Sequence, residues 1–219
     1  MSSWLAGAVT GGAVLLAASP YLARVVRTVP DRDDRRWWQG IVPGRRSRAL
    51  TAGVALSLGA LAGYAAGWSA VLPAFVAFAL LATPLVIIDI EHHRLPDRLV
   101  VLAGMTAAVL LGVAAAVRGD WHALGRAGLA AVIVFALFSA VVLASPASLG
   151  FGDVKLAAVT AGYLGWLSWG QVLYGIFAGF LLGALMALPL LASRRTSPSS
   201  TIPLGPALIV GALLVAAMH

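Results

Sequence analysis

The chain has 219 residues, of which 61% are hydrophobic and only 11% are charged, a composition that excludes an ordinary water-soluble globule. The absence of Cys excludes disulfides, thiolate catalysis and any Cys-based zinc site. The formal net charge of +7 does not indicate nucleic-acid binding, because the basic residues lie in loops between apolar segments and accompany no nucleic-acid motif.

Eight apolar segments are close to the length of about 20 residues that a helix needs to span a bilayer. The first segment has no basic residue before it and is followed by Arg24 and Arg27, which predicts a retained span rather than a cleaved signal. The sequence therefore predicts an all-α fold, a polytopic membrane bundle of about eight transmembrane helices. The predicted spans are residues 4–23, 49–68, 69–90, 99–117, 125–144, 154–170, 171–192 and 202–218.

The basic residues divide unequally between the two sides of such a bundle. Arg118 and Arg126 fall on one side, and the other thirteen of the fifteen fall on the opposite side. Because Lys and Arg are enriched in cytoplasmic loops, this division predicts a plasma (inner) membrane protein with both termini outside. The cytoplasmic set is Arg24, Arg27, Arg32, Arg35, Arg36, Arg45, Arg46, Arg48, Arg94, Arg98, Lys155, Arg194 and Arg195.

The same pattern divides the chain into two parts. Residues 1–48 are predicted to be a first transmembrane helix with a basic cytoplasmic loop, and residues 49–219 a membrane-embedded core. The loop at 24–48 is interpreted as a solvated, partly interfacial connector, with a small folded element as the alternative. The Ser- and Thr-containing stretch 194–201 is predicted to be a flexible cytoplasmic loop.

Four of the eight acidic residues lie at predicted cytoplasmic ends of spans. Asp89, Glu91 and Asp97 form one cluster, and Asp153 stands alone in the second. Asp89 follows an apolar run, where an ionised side chain is costly unless something offsets the cost. For each aspartate a structural role is the alternative: Asp89 can reach water from a helix end, and Asp153 can cap the helix that begins near Val154.

Taken as a pair, Asp89 and Asp153 indicate aspartic-protease chemistry. Two close carboxylates in a low-dielectric site do not readily both ionise, so one shared proton provides a base and an acid together. The ionised partner activates a water molecule, and the protonated partner polarises the scissile carbonyl. This mechanism predicts no metal and no organic cofactor.

The neighbours of the two aspartates are interpreted as supporting residues. Gly150 and Gly152 would relax the backbone before Asp153 and allow a close approach. Pro96 and Asp97 are predicted to be the end of a loop and the N-cap of the next span. Lys155 would offset negative charge near Asp153 or anchor the helix at the interface. Glu91, His92 and His93 lack metal-ligand spacing and are interpreted as solvated residues.

Three motifs in order make the sequence resemble the type IV prepilin peptidases, membrane aspartic enzymes of the Gly-x-Gly-Asp class. They are Ile88-Asp89 followed by Leu95-Pro96-Asp97, then Gly150-Phe151-Gly152-Asp153-Val154-Lys155-Leu156, then Ile202-Pro203-Leu204-Gly205-Pro206-Ala207-Leu208. The resemblance covers most of the chain from about residue 50 onward. It implies that Asp89 and Asp153 correspond to the two catalytic aspartates of that family.

The resemblance also implies a reaction and a partner. Such enzymes remove a short basic leader from prepilins or pseudopilins at the cytoplasmic membrane face, usually after a Gly that precedes the hydrophobic helix. Members that also methylate the new amino terminus often carry Cys pairs in a long loop after the first span. The loop here is short and Cys-free, so we expect protease activity without methyl transfer.

Two other functions are consistent with the same residues. One is a membrane peptidase of this class with other substrates. The other is a small proton- or cation-coupled transporter that uses Asp89 and Asp153 as ion sites, since intramembrane carboxylates commonly serve that role. A transporter is expected to carry charge nearer mid-span and often two related halves, and the sequence shows neither.

Overall fold

The computed structural model describes residues 2–28, 43–145, 149–192 and 204–219. These residues form eight α-helices and contain no β-strand, so the predicted all-α bundle is confirmed. Six helices are long and apolar enough to cross a membrane, and α6 and α8 are shorter. The helices are α1 Ser3–Thr28, α2 Arg45–Ala66, α3 Leu72–His92, α4 Asp97–Arg118, α5 Trp121–Ala144, α6 Phe151–Leu167, α7 Trp169–Ala192 and α8 Leu204–Ala216.

Each predicted span corresponds to one of these helices, but six helices begin earlier than predicted, of which α2, α5 and α6 differ by three or four residues. Helix α2 begins at Arg45 instead of residue 49, and α6 begins at Phe151 instead of residue 154. Hydropathy measures the apolar part of a span, whereas a helix continues into polar residues such as Arg that have good helix propensity. The early start of α6 places Asp153 inside the helix.

Two predicted loops fall largely outside the described residues. The connector at 24–48 is described only through residue 28 and from residue 43, and the loop at 194–201 is not described. The ends of the predicted connector are helical instead, because α1 extends to Thr28 and α2 begins at Arg45. For the rest of both loops, the predicted character stays a prediction. The same holds for Arg194 and Arg195 and for the first two residues of the motif that begins at Ile202.

Helix α3 is the most buried of the six long apolar helices, and α5 is among the least buried. Helix α3 packs against α1, α2, α4 and α8, which places it in the middle of the bundle. Large apolar side chains on the outer face of α5, such as Val132, Leu137 and Leu143, are exposed. Such a face suits contact with lipid, because water-soluble monomers rarely expose large contiguous apolar patches.

Aromatic side chains fill the space between α3 and α6. The ring of Tyr163 lies 4.5 Å from that of Phe78 and 5.5 Å from that of Phe75, measured between centroids. Helix α3 continues from Phe78 toward Asp89, and α6 runs from Asp153 toward Tyr163. Asp89 lies eleven residues beyond Phe78, and Asp153 lies ten residues before Tyr163. At about 1.5 Å of rise per residue, these separations are about 16 and 15 Å along the helix axes. The two aspartates therefore lie at nearly the same depth, at one end of the bundle.

The opposite end of α6 is held by a basic side chain. Arg126 of α5 donates hydrogen bonds to the carbonyl oxygens of Gly165 (2.6 Å), Trp166 (2.6 Å) and Leu167 (3.1 Å). The last carbonyl groups of a helix have no partner within the helix and carry partial negative charge. Arg126 satisfies several of them and ties α6, which carries Asp153, to α5.

Candidate active site

Asp89 lies in the last turn of α3 and is almost completely buried, with 4% of its surface exposed. The backbone N–H of Gly205 donates a hydrogen bond to Asp89 Oδ2 at 3.1 Å. Gly205 is the second residue of α8, where backbone N–H groups have no partner within the helix. The start of α8 therefore supplies a donor that fixes one oxygen of the buried carboxylate.

Gly205 is also the residue that allows this approach. A Cβ atom added there would lie 2.8 Å from Asp89 Oδ2 and 3.2 Å from Leu95 Cδ2. Contacts this short require a neighbour to move, and both neighbours are packed. Any larger residue at this position would displace the Asp89 carboxylate or Leu95.

Asp153 is the third residue of α6 and is partly buried. The N-cap of α6 is Gly150, whose carbonyl accepts a hydrogen bond from the Asp153 backbone N–H at 3.0 Å. Gly150 and not Asp153 therefore occupies the N-cap position, while the alternative that Asp153 stabilises the start of α6 from within the first turn is retained. A Cβ atom at Gly150 would lie 3.0 Å from Asp153 Oδ2, so glycine leaves room for the carboxylate.

The structure brings the two predicted catalytic residues to one place. Asp89 on α3 and Asp153 on α6 lie at nearly the same depth. Leu95 lies against both Gly205, which donates to Asp89, and Gly152, which precedes Asp153. Asp89 stands beside Gly205 of α8. Asp153 stands beside Gly150, the residue that precedes α6. The arrangement places two carboxylates at the same end of the bundle.

The supporting residues lie next to this pair, but two of them act differently from the prediction. The N-cap of α4 is Pro96, and Asp97 is the first helical residue, so the prediction that Asp97 is the N-cap is wrong. The Asp97 carboxylate instead pairs with Lys155, with 2.8 Å between Oδ1 and Nζ. Lys155 therefore contacts a carboxylate on α4, a partner that the sequence interpretation did not name.

Glu91, His92 and His93 are exposed, as expected for solvated residues at the end of a helix. His92 Nε2 lies 3.9 Å from Glu91 Oε2. His93 ends α3 in the left-handed region with φ 52°, and its N–H donates to the Asp89 carbonyl at 2.9 Å. Across the described ranges, no three His, Asp or Glu side chains form a metal-binding group.

Two residues of this site were not assigned a role from the sequence. Gly205 was noted only as part of the motif near the end of the chain, and its hydrogen bond to Asp89 spans 116 residues. Leu95 packs against Gly152, whose added Cβ atom would lie 3.0 Å from Leu95 Cβ. The glycines were a usable indication, because a Gly in a motif often marks a close approach, but nothing in the sequence identifies what approaches.

The model of the type IV leader peptidase family matches residues 74–188, slightly more than half of the chain. The chain belongs to this family. The family match includes both Asp89 and Asp153, whereas α1, α2 and Gly205 lie outside it. This membership confirms the resemblance that the three motifs carried.

A curated relative supports the same assignment. A prepilin leader peptidase/N-methyltransferase of Aeromonas hydrophila is 30% identical over 166 residues, which cover 74% of this chain and 52% of that protein. The chain thus spans about half the length of this relative. No solved structure matches the chain significantly.

Proposed function

We propose that this protein is an intramembrane aspartic endopeptidase in which Asp89 and Asp153 are the two catalytic carboxylates. The proposal is supported by the placement of these residues, 64 positions apart in sequence, at nearly the same depth and at the same end of the bundle. Family membership supports it, because the family is that of leader peptidases.

The proposed reaction requires only the two carboxylates and one water molecule. The ionised carboxylate takes a proton from the water as its oxygen attacks the scissile carbonyl carbon. The protonated carboxylate donates a hydrogen bond to the carbonyl oxygen and stabilises the tetrahedral intermediate. A proton then passes to the leaving nitrogen as the C–N bond breaks. In this scheme the Gly205 N–H holds Asp89 in a fixed orientation throughout.

The proposed substrates are type IV prepilins or pseudopilins, from which the enzyme removes a short basic leader. The name of the Aeromonas relative and the family description support this substrate class. That relative is also named an N-methyltransferase, but this chain has no Cys in the loop at 24–48, and we propose leader cleavage without methyl transfer. We assign catalysis to the core at 49–219 and regard 1–48 as a first span with a basic loop.

The proposed location is the plasma (inner) membrane, with lipid around the bundle and the site facing the cytoplasm. At the end of the bundle that carries Asp89 and Asp153, the described basic residues include Arg45, Arg94 and Lys155. Arg118 and Arg126 mark the other end. Basic residues concentrate on the cytoplasmic side of membrane proteins, which supports this orientation.

Cysteine labelling tests the orientation cleanly, because the natural chain has no Cys. We expect Arg94→Cys, in the short segment before α4, to react in intact cells only with a membrane-permeant maleimide. Gly119→Cys, at the C-cap of α4, should also react with an impermeant maleimide. The reverse pattern would contradict the orientation while leaving the pairing of the two aspartates intact.

The proposed activity is tested by co-expression with a prepilin in a host that lacks its own leader peptidase. We expect the wild-type chain to convert the precursor to a shorter product, seen as a gel shift. The mass of the new amino terminus should correspond to cleavage just before the hydrophobic helix. A precursor that stays intact with several prepilins and pseudopilins, at verified membrane abundance, would contradict the proposed substrate class.

A further inference from the structure

The segment that joins α3 to α4 touches the turn of Asp153 on both sides. Leu95 packs against Gly152, the residue before Asp153, where an added Cβ atom would lie 3.0 Å from Leu95 Cβ and 3.6 Å from Leu95 Cδ1. Asp97 pairs with Lys155, two residues after Asp153. One short stretch of chain therefore holds the first turn of α6 through one apolar and one ionic contact.

The Lys155 ammonium group contacts an aromatic ring as well as the Asp97 carboxylate. Lys155 Nζ lies 2.8 Å from Asp97 Oδ1 and 5.1 Å from the centroid of the Phe151 ring. The Lys155 side chain is 27% exposed, whereas that of Asp97 is 64% exposed. The ammonium group is thus held between a carboxylate and an aromatic face, both of which favour a cation.

The same stretch also lies close to Gly205, which donates a hydrogen bond to Asp89. Leu95 Cδ2 lies 3.2 Å from the position of a Cβ atom at Gly205, the residue that donates to Asp89. Leu95 is therefore wedged between the first turns of α6 and α8. The stretch follows Asp89 by only a few residues, so it links α3 to both of these turns.

From these contacts we propose that Leu95 and Asp97, with Lys155 as the partner of Asp97, are positioning residues that set the Asp153 turn against Asp89. The inference rests on the proposed function, in which the relative position of the two carboxylates determines the rate. None of the three side chains needs to touch the substrate. Their contribution is to hold α6 at the distance and rotation that the reaction requires.

Another role for the exposed Asp97 carboxylate is to bind the basic leader directly. The two roles differ in how they respond to charge reversal. A positioning pair keeps its ion pair in either polarity, because Lys on α4 and Asp on α6 attract each other, although the reversed pair loses the contact of the ammonium with the Phe151 ring. A leader-binding carboxylate does not, because Lys at position 97 would repel a basic leader.

The test compares Asp97→Lys, Lys155→Asp and the double exchange in detergent-solubilised or reconstituted full-length protein. We expect each single variant to lower kcat about tenfold with KM changed less than twofold, because misplacement of a catalytic group slows the chemical step. The double exchange should recover to within about threefold of wild type. Glu91→Lys makes the same charge change as Asp97→Lys on an exposed residue of α3 and should leave kcat within twofold.

The packing role of Leu95 is tested in the same assay by changing the size of its side chain. We expect Leu95→Ala to lower kcat about tenfold, because it removes the contact with Gly152 and Gly205. Leu95→Met keeps the volume and should stay within about threefold of wild type. Equal losses in the Ala and Met variants would overturn the wedge role of Leu95.

A second readout does not depend on cleavage. Hydrogen exchange of the backbone amides in residues 150–156 should be faster in both single charge variants and return to the wild-type rate in the double exchange. Unchanged exchange in the single variants would overturn the positioning role, even if the wild type cleaved no prepilin and the proposed function failed. Failure of the double exchange to recover either readout, or a rise in KM alone, would also overturn it.

Discussion

Replacing Asp89 or Asp153 with Asn is expected to lower prepilin cleavage by about 10³-fold or more in either variant. Asn keeps the size and shape of Asp, so packing around the buried Asp89 and the turn at Gly150 should survive. It cannot share a proton as a carboxylate does, so the pair loses its base or its acid. Cleavage should be followed over time in membranes that contain equal amounts of each variant.

The double Asn variant shows whether the two carboxylates act as one catalytic unit or contribute independently. If both carboxylates belong to one catalytic unit, the double variant should be no less active than either single variant, because removing one member already disables the unit. Asp120→Asn is a matched control. Asp120 caps α5 at the opposite end of the bundle, where it accepts from the Ala123 N–H at 3.0 Å. We expect that variant to retain full cleavage.

Gly205→Ala is expected to lower cleavage about 100-fold, the second largest effect that the structure predicts. The added methyl group would lie 2.8 Å from Asp89 Oδ2, so the carboxylate or the first turn of α8 must move. Either movement stretches or breaks the hydrogen bond from the Gly205 N–H. The loss should appear in kcat, because the substrate helix can still dock.

Gly112→Ala provides the control for this substitution. Gly112 lies in α4, and apart from its chain neighbours and the nearby backbone of its own helix, no described atom lies within 4 Å of an added Cβ atom. Ala in a helix interior is favoured over Gly by about 1 kcal/mol, so this variant should be fully active and slightly more stable. Equal activity of the two Ala variants would show that the close approach at Gly205 has no part in catalysis.

The sequence predicted the architecture well because the bilayer imposes a strong constraint on it. Every backbone polar group inside a membrane needs a partner, so long apolar segments become helices. Segment length and the division of basic residues then determine the number and direction of spans. The helix boundaries were less predictable, as α2 and α6 show, because hydropathy does not register where a helix continues into polar residues.

The sequence suggested the two aspartates of the candidate site but not the contacts around them. Asp89 and Asp153 could be paired because buried carboxylates are costly and both fall at the same predicted membrane depth. The contacts of Lys155 with Asp97 and of Gly205 with Asp89 join residues 58 and 116 positions apart. They depend on how α3, α4, α6 and α8 pack, which no local pattern encodes.

A local rule gave the wrong position for Asp97 and suggested capping as the alternative role of Asp153. Asp97 and Asp153 each stand near the start of a helix, where capping is the commonest use of Asp. The structure places Pro96 and Gly150 at the cap positions instead. Both aspartates therefore lie within the first turn of their helices. The Asp97 carboxylate pairs with Lys155, and the Asp153 carboxylate lies at the candidate site.

The central claim is tested most directly with the purified chain, reconstituted into lipid vesicles with a purified prepilin and no other protein. The proposed function predicts that the wild type releases the leader at a single bond, identified by the masses of both products. Asp89→Asn and Asp153→Asn should release none on the same timescale. Cleavage by either Asn variant at the wild-type rate would remove that residue from catalysis and contradict the two-carboxylate mechanism.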